Sequence, residues 1–194
     1  MHMEQMLENL EARFPGCRKE IRRSDLAFVT VPRSNAVEAI TWLRDSGGYS
    51  HLALISAVDY IEQNAFQLTY ILHNRRERCD IGLRVELDRD EPVMASIHHL
   101  WATAQVYQRE LKEMFGIDFP GSPRVDEPFI LEGWREIPPM RRDFDTKKYS
   151  EATFFPREGR GTLDPKRVME EKSYPVDARV KDEIRRLVRD DYEE

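Results

Sequence analysis

The run from Trp101 to Gly121 constrains this chain more than any other segment. Placed at 100° per residue, Ile97, Leu100, Trp101, Tyr107, Leu111 and Phe115 all fall within about 60° of Ala104. This predicts a helix from about Ile97 to Phe115 with one apolar face. Arg109 and Glu113 fall on the far side, four residues apart, where they are expected to pair. A surface pair of that kind contributes only ~0.3–0.5 kcal/mol, so stability alone hardly selects it. Gly116 ends the helix by taking a left-handed conformation, Ile117 folds back on the last turn, and Phe119 leads the following chain away along a partner.

Upstream, Met3, Leu7, Leu10 and Phe14 recur at helical spacing, and Pro15-Gly16 ends that helix. Strands are expected over Lys19–Arg23 and Leu26–Val31. Ser34 or Asn35 caps a second helix with Val37, Ile40, Trp42 and Leu43 inward, stopped by Gly47-Gly48. Leu52–Val58 is apolar almost throughout and reads as a central strand buried on both faces. After a turn at 62–64, Phe66–Leu72 alternates, His73–Cys79 is a polar hairpin loop, and Ile81–Leu87 alternates again. Helix, two strands, helix, three strands, helix is the order of an α+β domain, a two-layer mixed β-sheet with helices on one face.

The character changes after residue 119. Eight of the eleven prolines lie from Pro120 onward, and the apolar residues come singly or in pairs until Val180, Ile184, Leu187 and Val188 suggest a last short helix. A long structureless stretch is foreign to a compact domain, yet disordered tails seldom carry so many aromatics. The division expected is therefore 1–119 as the α+β domain and 120–194 as an extended arm that orders on a partner. The plainer alternative is an arm folded back on its own domain.

Composition narrows the function. A net charge of −6 over 194 residues argues against nucleic acid or anionic lipid as partner. No apolar run approaches the ~20 residues of a membrane helix. The N-terminus lacks the pattern of a signal peptide. Cys17 and Cys79 are isolated and read as ordinary buried or half-buried thiols. His98 and His99 point about 100° apart on a helix and are poor joint metal ligands. Glu110 and Glu113 share a helix without the unequal environments that an acid/base pair needs. Ser56 and Ser122 lack a nucleophile elbow, and Gly47-Gly48 and Gly159-Arg-Gly161 are stops and turns rather than phosphate loops. No catalytic, cofactor or metal residue is assigned. Arg141-Arg142-Asp143, stiffened by Pro138-Pro139 and anchored by Phe144, displays forked donors suited to gripping a neighbour.

Two blocks, Trp101…Gln108-Arg109-Glu110…Glu113…Phe115-Gly116-Ile117…Phe119…Gly121-Ser122-Pro123 and Trp134…Pro139-Met140-Arg141-Arg142-Asp143-Phe144, resemble the signature of the 30 kDa (C-type) subunit of respiratory complex I, the NADH-quinone oxidoreductase. The resemblance implies a scaffold subunit that docks on the 49 kDa (D) subunit and neighbouring iron–sulfur subunits, on the cytoplasmic side of the inner (cell) membrane. Its implied interface is Arg109, Glu110, Glu113, Gly116, Ile117, Phe119, Trp134, Pro139, Arg141, Arg142, Asp143 and Phe144. Iron–sulfur clusters, flavin, quinone or nickel–iron then belong to partner chains. Gln108 stands for a Glu, Lys112 for an aromatic and Ser122 for a His. An Arg-Arg pair expected soon after is absent, and Arg124–Leu131 fills a longer loop. These departures leave two assemblies open: a quinone-reducing complex or a membrane-bound, energy-converting nickel–iron hydrogenase-type relative.

Overall fold

The computed structural model describes residues 3–154. It holds α1 (Met3–Arg13), β1 (Arg18–Arg23), β2 (Leu26–Thr30), α2 (Ala36–Asp45), β3 (His51–Tyr60), β4 (Ala65–Asn74), β5 (Cys79–Asp88), α3 (Ala104–Phe115) and α4 (Thr146–Thr153). The expected order of elements is met through α3, α4 is a further helix in a stretch where the sequence shows no periodicity, and the fold is α+β. The proposed terminal helix at Val180–Val188, and the Gly159–Gly161 turn, lie outside the described residues. Two compact units divide at residue 146, and the second, beginning at Lys147, holds all of α4 but its first residue. The rings of Tyr149 in α4 and Phe154 just past it meet edge to face, 6.5 Å apart.

The five strands lie in the order β1-β2-β5-β4-β3, antiparallel except for the β2–β5 pair. One sheet face carries Val29, Leu83, Val85, Leu68, Tyr70 and Ile55, all buried. It packs with Met6, Leu7, Leu10, Ile40, Leu43 and Leu111 from the helices. Alternation at period two sends every second strand residue into this layer, and the helices supply the matching stripe. On the opposite face Gly82 leaves room for the Phe28 ring, since a Cβ there would lie 2.4 Å from its Cδ1. The Arg84 guanidinium stacks over that ring at 3.8 Å.

Two expectations need correction. Leu52–Val58 is an edge strand, and β5 occupies the centre. The apolar run misleads because Leu54 and Val58, 39% and 47% exposed, look apolar in sequence but lie on the uncovered face. The helix at the signature begins at Ala104, not Ile97. Residues 97–101 instead form a tight turn, with Leu100 N–H donating to Ile97 O at 2.9 Å. Ser96 Oγ accepts from His98 N–H at 3.3 Å, and Trp101 Nε1–H donates to Ser50 O at 2.9 Å, so local and long-range bonds replace a helical start. Ile97 still reaches the core, delivered by the turn. Asn35 stands at the α2 N-cap but makes no capping bond with its side chain.

Candidate functional site: the signature helix and the chain that follows it

α3 lays Ala104, Gln108, Leu111 and Phe115 into the core, and Phe115 meets Phe66 edge to face at 6.1 Å. Gln108 is fully buried and accepts from Ser96 Oγ at 2.7 Å. A glutamate here would need to bury a charge; the amide avoids that, but its Nε2 is buried without a hydrogen-bond partner. Gly116 has φ +81° and caps the helix through its N–H to Lys112 O at 2.9 Å, as expected.

The chain then turns inward. A bridge between Val93 and Asp118 fixes the segment, with Met94 N–H on Asp118 O at 2.9 Å and Asp118 N–H on Pro92 O at 2.8 Å. Ile117 and Phe119 are fully buried in the domain core. The sequence suggests that Phe119 leads along a partner; the bridge points it at the chain's own core, where burial of a large aromatic is worth ~1.5–3 kcal/mol.

The Arg109–Glu113 pair is not formed. The Glu113 carboxylate instead accepts the backbone N–H groups of Phe129 at 2.7 Å, Ile130 at 2.9 Å and Leu131 at 3.2 Å. Three donors converge on one carboxylate, a stronger arrangement than a single guanidinium at the helix surface offers. Arg109 lies 5.4 Å from the Phe129 ring centroid and 3.9 Å from the Glu127 carboxylate. Lys112 ties α3 to the longer loop through Asp118 at 2.7 Å and through Asp126. Burial pushes its ammonium pKa down, but the two carboxylates outweigh that and hold it above the ordinary lysine value. Between helix and loop lies a cavity of about 240 Å³ bordered by Arg109, Lys112, Glu113, Leu131 and Trp134.

The second block closes on the far ends of β3 and β5. Arg89, just past β5, forks onto Asp59 at 2.9 and 3.2 Å and reaches Asp143 at 2.8 Å. Asp59 also accepts the Arg142 backbone N–H at 2.9 Å. Arg141 pairs with Asp143 at 3.2 Å and lies 5.7 Å from the Phe66 ring centroid, while Arg142 Nη1 donates to both Glu62 carboxylate oxygens at 2.7 Å. The side chains of Asp59 and Arg89 are only 1% and 9% exposed. Burial drives the Asp59 carboxyl pKa up, but hydrogen bonds from Arg89 and the Arg142 N–H prevail and hold it below the usual carboxylate value. Asp143 is lowered in the same way, with Arg141 and Arg89 overcoming its burial. Met140 N–H donates to Met114 O at 3.0 Å, Trp134 Nε1–H to Ile137 O at 3.1 Å, and Trp134 meets Phe144 at 5.4 Å. Pro139 is half-buried within this block.

The structure thus brings the C-terminal end of α3 and the second block to the Asp59 end of β3, while Trp101 of the first block bonds at the other end. Glu110 is half-buried beside β3. Sequence reasoning missed Asp59 and Arg89 because they lie outside both blocks; a lone Asp ending an apolar strand was the available signal. Among the described residues no group of three or more His, Cys, Asp or Glu could hold a metal, and no helix is long and apolar enough to cross a membrane. His73 Nδ1 and Asp80 lie 2.8 Å apart, an ordinary pair. Cys79 is buried, and its Sγ lies 3.3 Å from Tyr49 Oη.

An α+β domain carrying these two blocks defines a subunit of a multi-chain oxidoreductase of the complex I type. The chain belongs to the family described as the 30 kDa subunit of respiratory-chain NADH dehydrogenase, whose model matches residues 29–150. It is 32% identical over 143 residues to the C-type subunit of the NADH-quinone oxidoreductase of Moorella thermoacetica, covering 73% of this chain and 95% of that one. The structure resembles a trypsin-resistant fragment of Nqo5, residues 1–134, at 26% identity and a TM-score of 0.56, covering 63% and 98% of the two chains. A chain of the membrane-bound sulfane sulfur reductase, an archaeal respiratory membrane complex, shares the fold at TM-score 0.69 and 22% identity, covering 78% and 90%.

Proposed function

We propose that this subunit is a scaffold that carries no redox centre and joins the peripheral arm of a complex I-like oxidoreductase. It docks on the 49 kDa (D)-type subunit and neighbouring iron–sulfur subunits on the cytoplasmic side of the membrane. Electron transfer from NADH or another donor to quinone, and the ion translocation coupled to it, take place in those partner chains.

One observation carries the reading. The segment after α3 is tied down by its backbone, yet it turns large apolar side chains outward: Ile130, Ile137 and Met140 are 68%, 46% and 59% exposed. Three large apolar side chains held outward within eleven residues of an anchored segment support a docking role for it. Trp134, Pro139, Arg141 and Phe144 frame this surface, and Glu113 and Asp143 hold it in place. Gly116, Ile117 and Phe119 serve it from beneath by setting where the segment starts. The Arg109 and Arg142 guanidiniums lie beside it.

Affinity purification of the tagged chain in mild detergent, with mass spectrometry of its companions, tests the proposal. Recovery of a D-type large subunit with iron–sulfur proteins is the expected result; a chain recovered alone refutes it. The sequence of the large subunit then separates the two assemblies, because two Cys-x-x-Cys motifs mean a nickel–iron, hydrogenase-type complex and their absence a quinone reductase.

A further inference from the structure

The two edges of the sheet are built differently. β1, Arg18-Lys-Glu-Ile-Arg-Arg23, is charged at every position but one and carries a register irregularity between Ile21 and Arg23. Charges and bulges are how proteins keep a strand edge from pairing. The other edge, β3, has Leu54-Ile-Ser-Ala-Val58 at its middle, with neither charge nor proline. An antiparallel strand turns the N–H and C=O of every second residue away from its neighbour, so half of these groups face outward, unpaired by β4.

The ends of this edge are covered and its middle is not. Tyr107 Oη–H donates to Ala53 O at 2.9 Å and Trp101 Nε1–H to Ser50 O, closing one end. At the other end the second block lies against the strand, with the Arg142 N–H on the Asp59 side-chain carboxylate. Between them lies an apolar groove of about 220 Å³ formed by Ile55, Ala57, Leu111, Met114 and Met140, with Glu110 at its rim. Glu110 has no hydrogen-bond or ion-pair partner among the described residues.

We infer that residues 54–58 of β3 pair with a short extended segment of a partner subunit, which adds a sixth strand to the sheet. One apolar side chain of that segment fills the groove between β3 and α3, and a basic side chain beside it meets Glu110. Main-chain bonds provide the attachment and the groove selects the side chain, as in other strand-addition complexes. A second copy of this chain fits poorly, because symmetric pairing about Ser56 would bring two Glu110 carboxylates into one groove. The inference rests on the assembly role proposed above.

Residue-resolved hydrogen exchange on the chain co-purified with its partners, compared with the chain alone, tests it. Amides at alternate positions within 54–58 are expected to slow about tenfold or more in the assembly, while those bonded to β4 are slow in both states. Uniform slowing of all five, or none, overturns the inference, as does alternate slowing in the isolated chain as its concentration rises. Glu110→Lys is expected to lower recovery of the partner at least severalfold with an unchanged circular dichroism spectrum; equal recovery removes the basic contact. Alternate protection by companions that lack iron–sulfur proteins would leave the strand site standing and the redox assembly refuted. A chain recovered alone overturns both.

Discussion

Asp59 and Arg89 meet in a two-pronged ion pair, 2.9 and 3.2 Å long, at the ends of β3 and β5, and both side chains are nearly closed to water. The second signature block closes over that pair, Arg142 through its backbone and Asp143 through its carboxylate. Removing one partner leaves a buried charge short of bonds. Asp59→Ala is expected to cost about 3 kcal/mol, whereas Asp59→Leu combined with Arg89→Met costs much less, since no charge is stranded. Urea denaturation of the wild type, both single variants and the double variant measures the coupling; additive losses would contradict it.

The same carboxylates set an acid limit. Their native pKa values lie below the ordinary carboxylate range, so the stability they contribute is complete above about pH 4. It is lost as pH falls further, through the lowered native values. Thermal scans from pH 7 to pH 2 are expected to drop steeply below about pH 4, and the Asp59→Leu/Arg89→Met variant to drop less. Parallel curves would exclude the network as the cause.

Glu113 binds a loop rather than a neighbouring side chain. Glu113→Ala strands the N–H groups of residues 129–131 and is expected to destabilise by about 2 kcal/mol, lowering Tm by about 4–8 °C. Proteolysis within 124–134 should accelerate while cleavage elsewhere in the domain is unchanged. Arg109→Ala, which removes only a ring contact and a long ion pair, is expected to have a smaller effect.

Gly116 holds φ +81°, and a Cβ there would lie 3.4 Å from Pro138 Cγ. Gly116→Ala is expected to cost about 1 kcal/mol and Gly116→Val more, because branched residues resist the left-handed conformation. The valine variant should also displace the 138–144 block and lower recovery of the assembled complex. Wild-type recovery from a stably folded valine variant would refute that mechanical role.

Much of this protein is legible from its residues in order. Period-two alternation in Phe66–Leu72 and Ile81–Leu87, and helical spacing in Met3–Phe14, mark elements that the structure contains, because side-chain direction follows local backbone geometry. The Gly116 stop and the two signature blocks are readable for the same local reason. Other features depend on neighbours distant in sequence. Leu52–Val58 has the composition of a central strand, yet its place at the edge follows from β5 pairing with both β2 and β4. Ile97 has helical phase, but Trp101 bonding to Ser50 draws its segment into a turn. Glu113 sits where Arg109 is in reach, and the loop at 129–131 displaces that partner with three N–H donors.

Residue order alone established most of the elements, the family signature and the inward faces of α1, α3, β4 and β5, since these depend on contacts within a few residues. Strand order, the Asp59–Arg89–Asp143 network and the open β3 edge were decided only by tertiary packing. Their energies come from groups up to 83 positions apart in the chain, the Asp59 carboxylate and the Arg142 N–H, whose meeting no local pattern encodes.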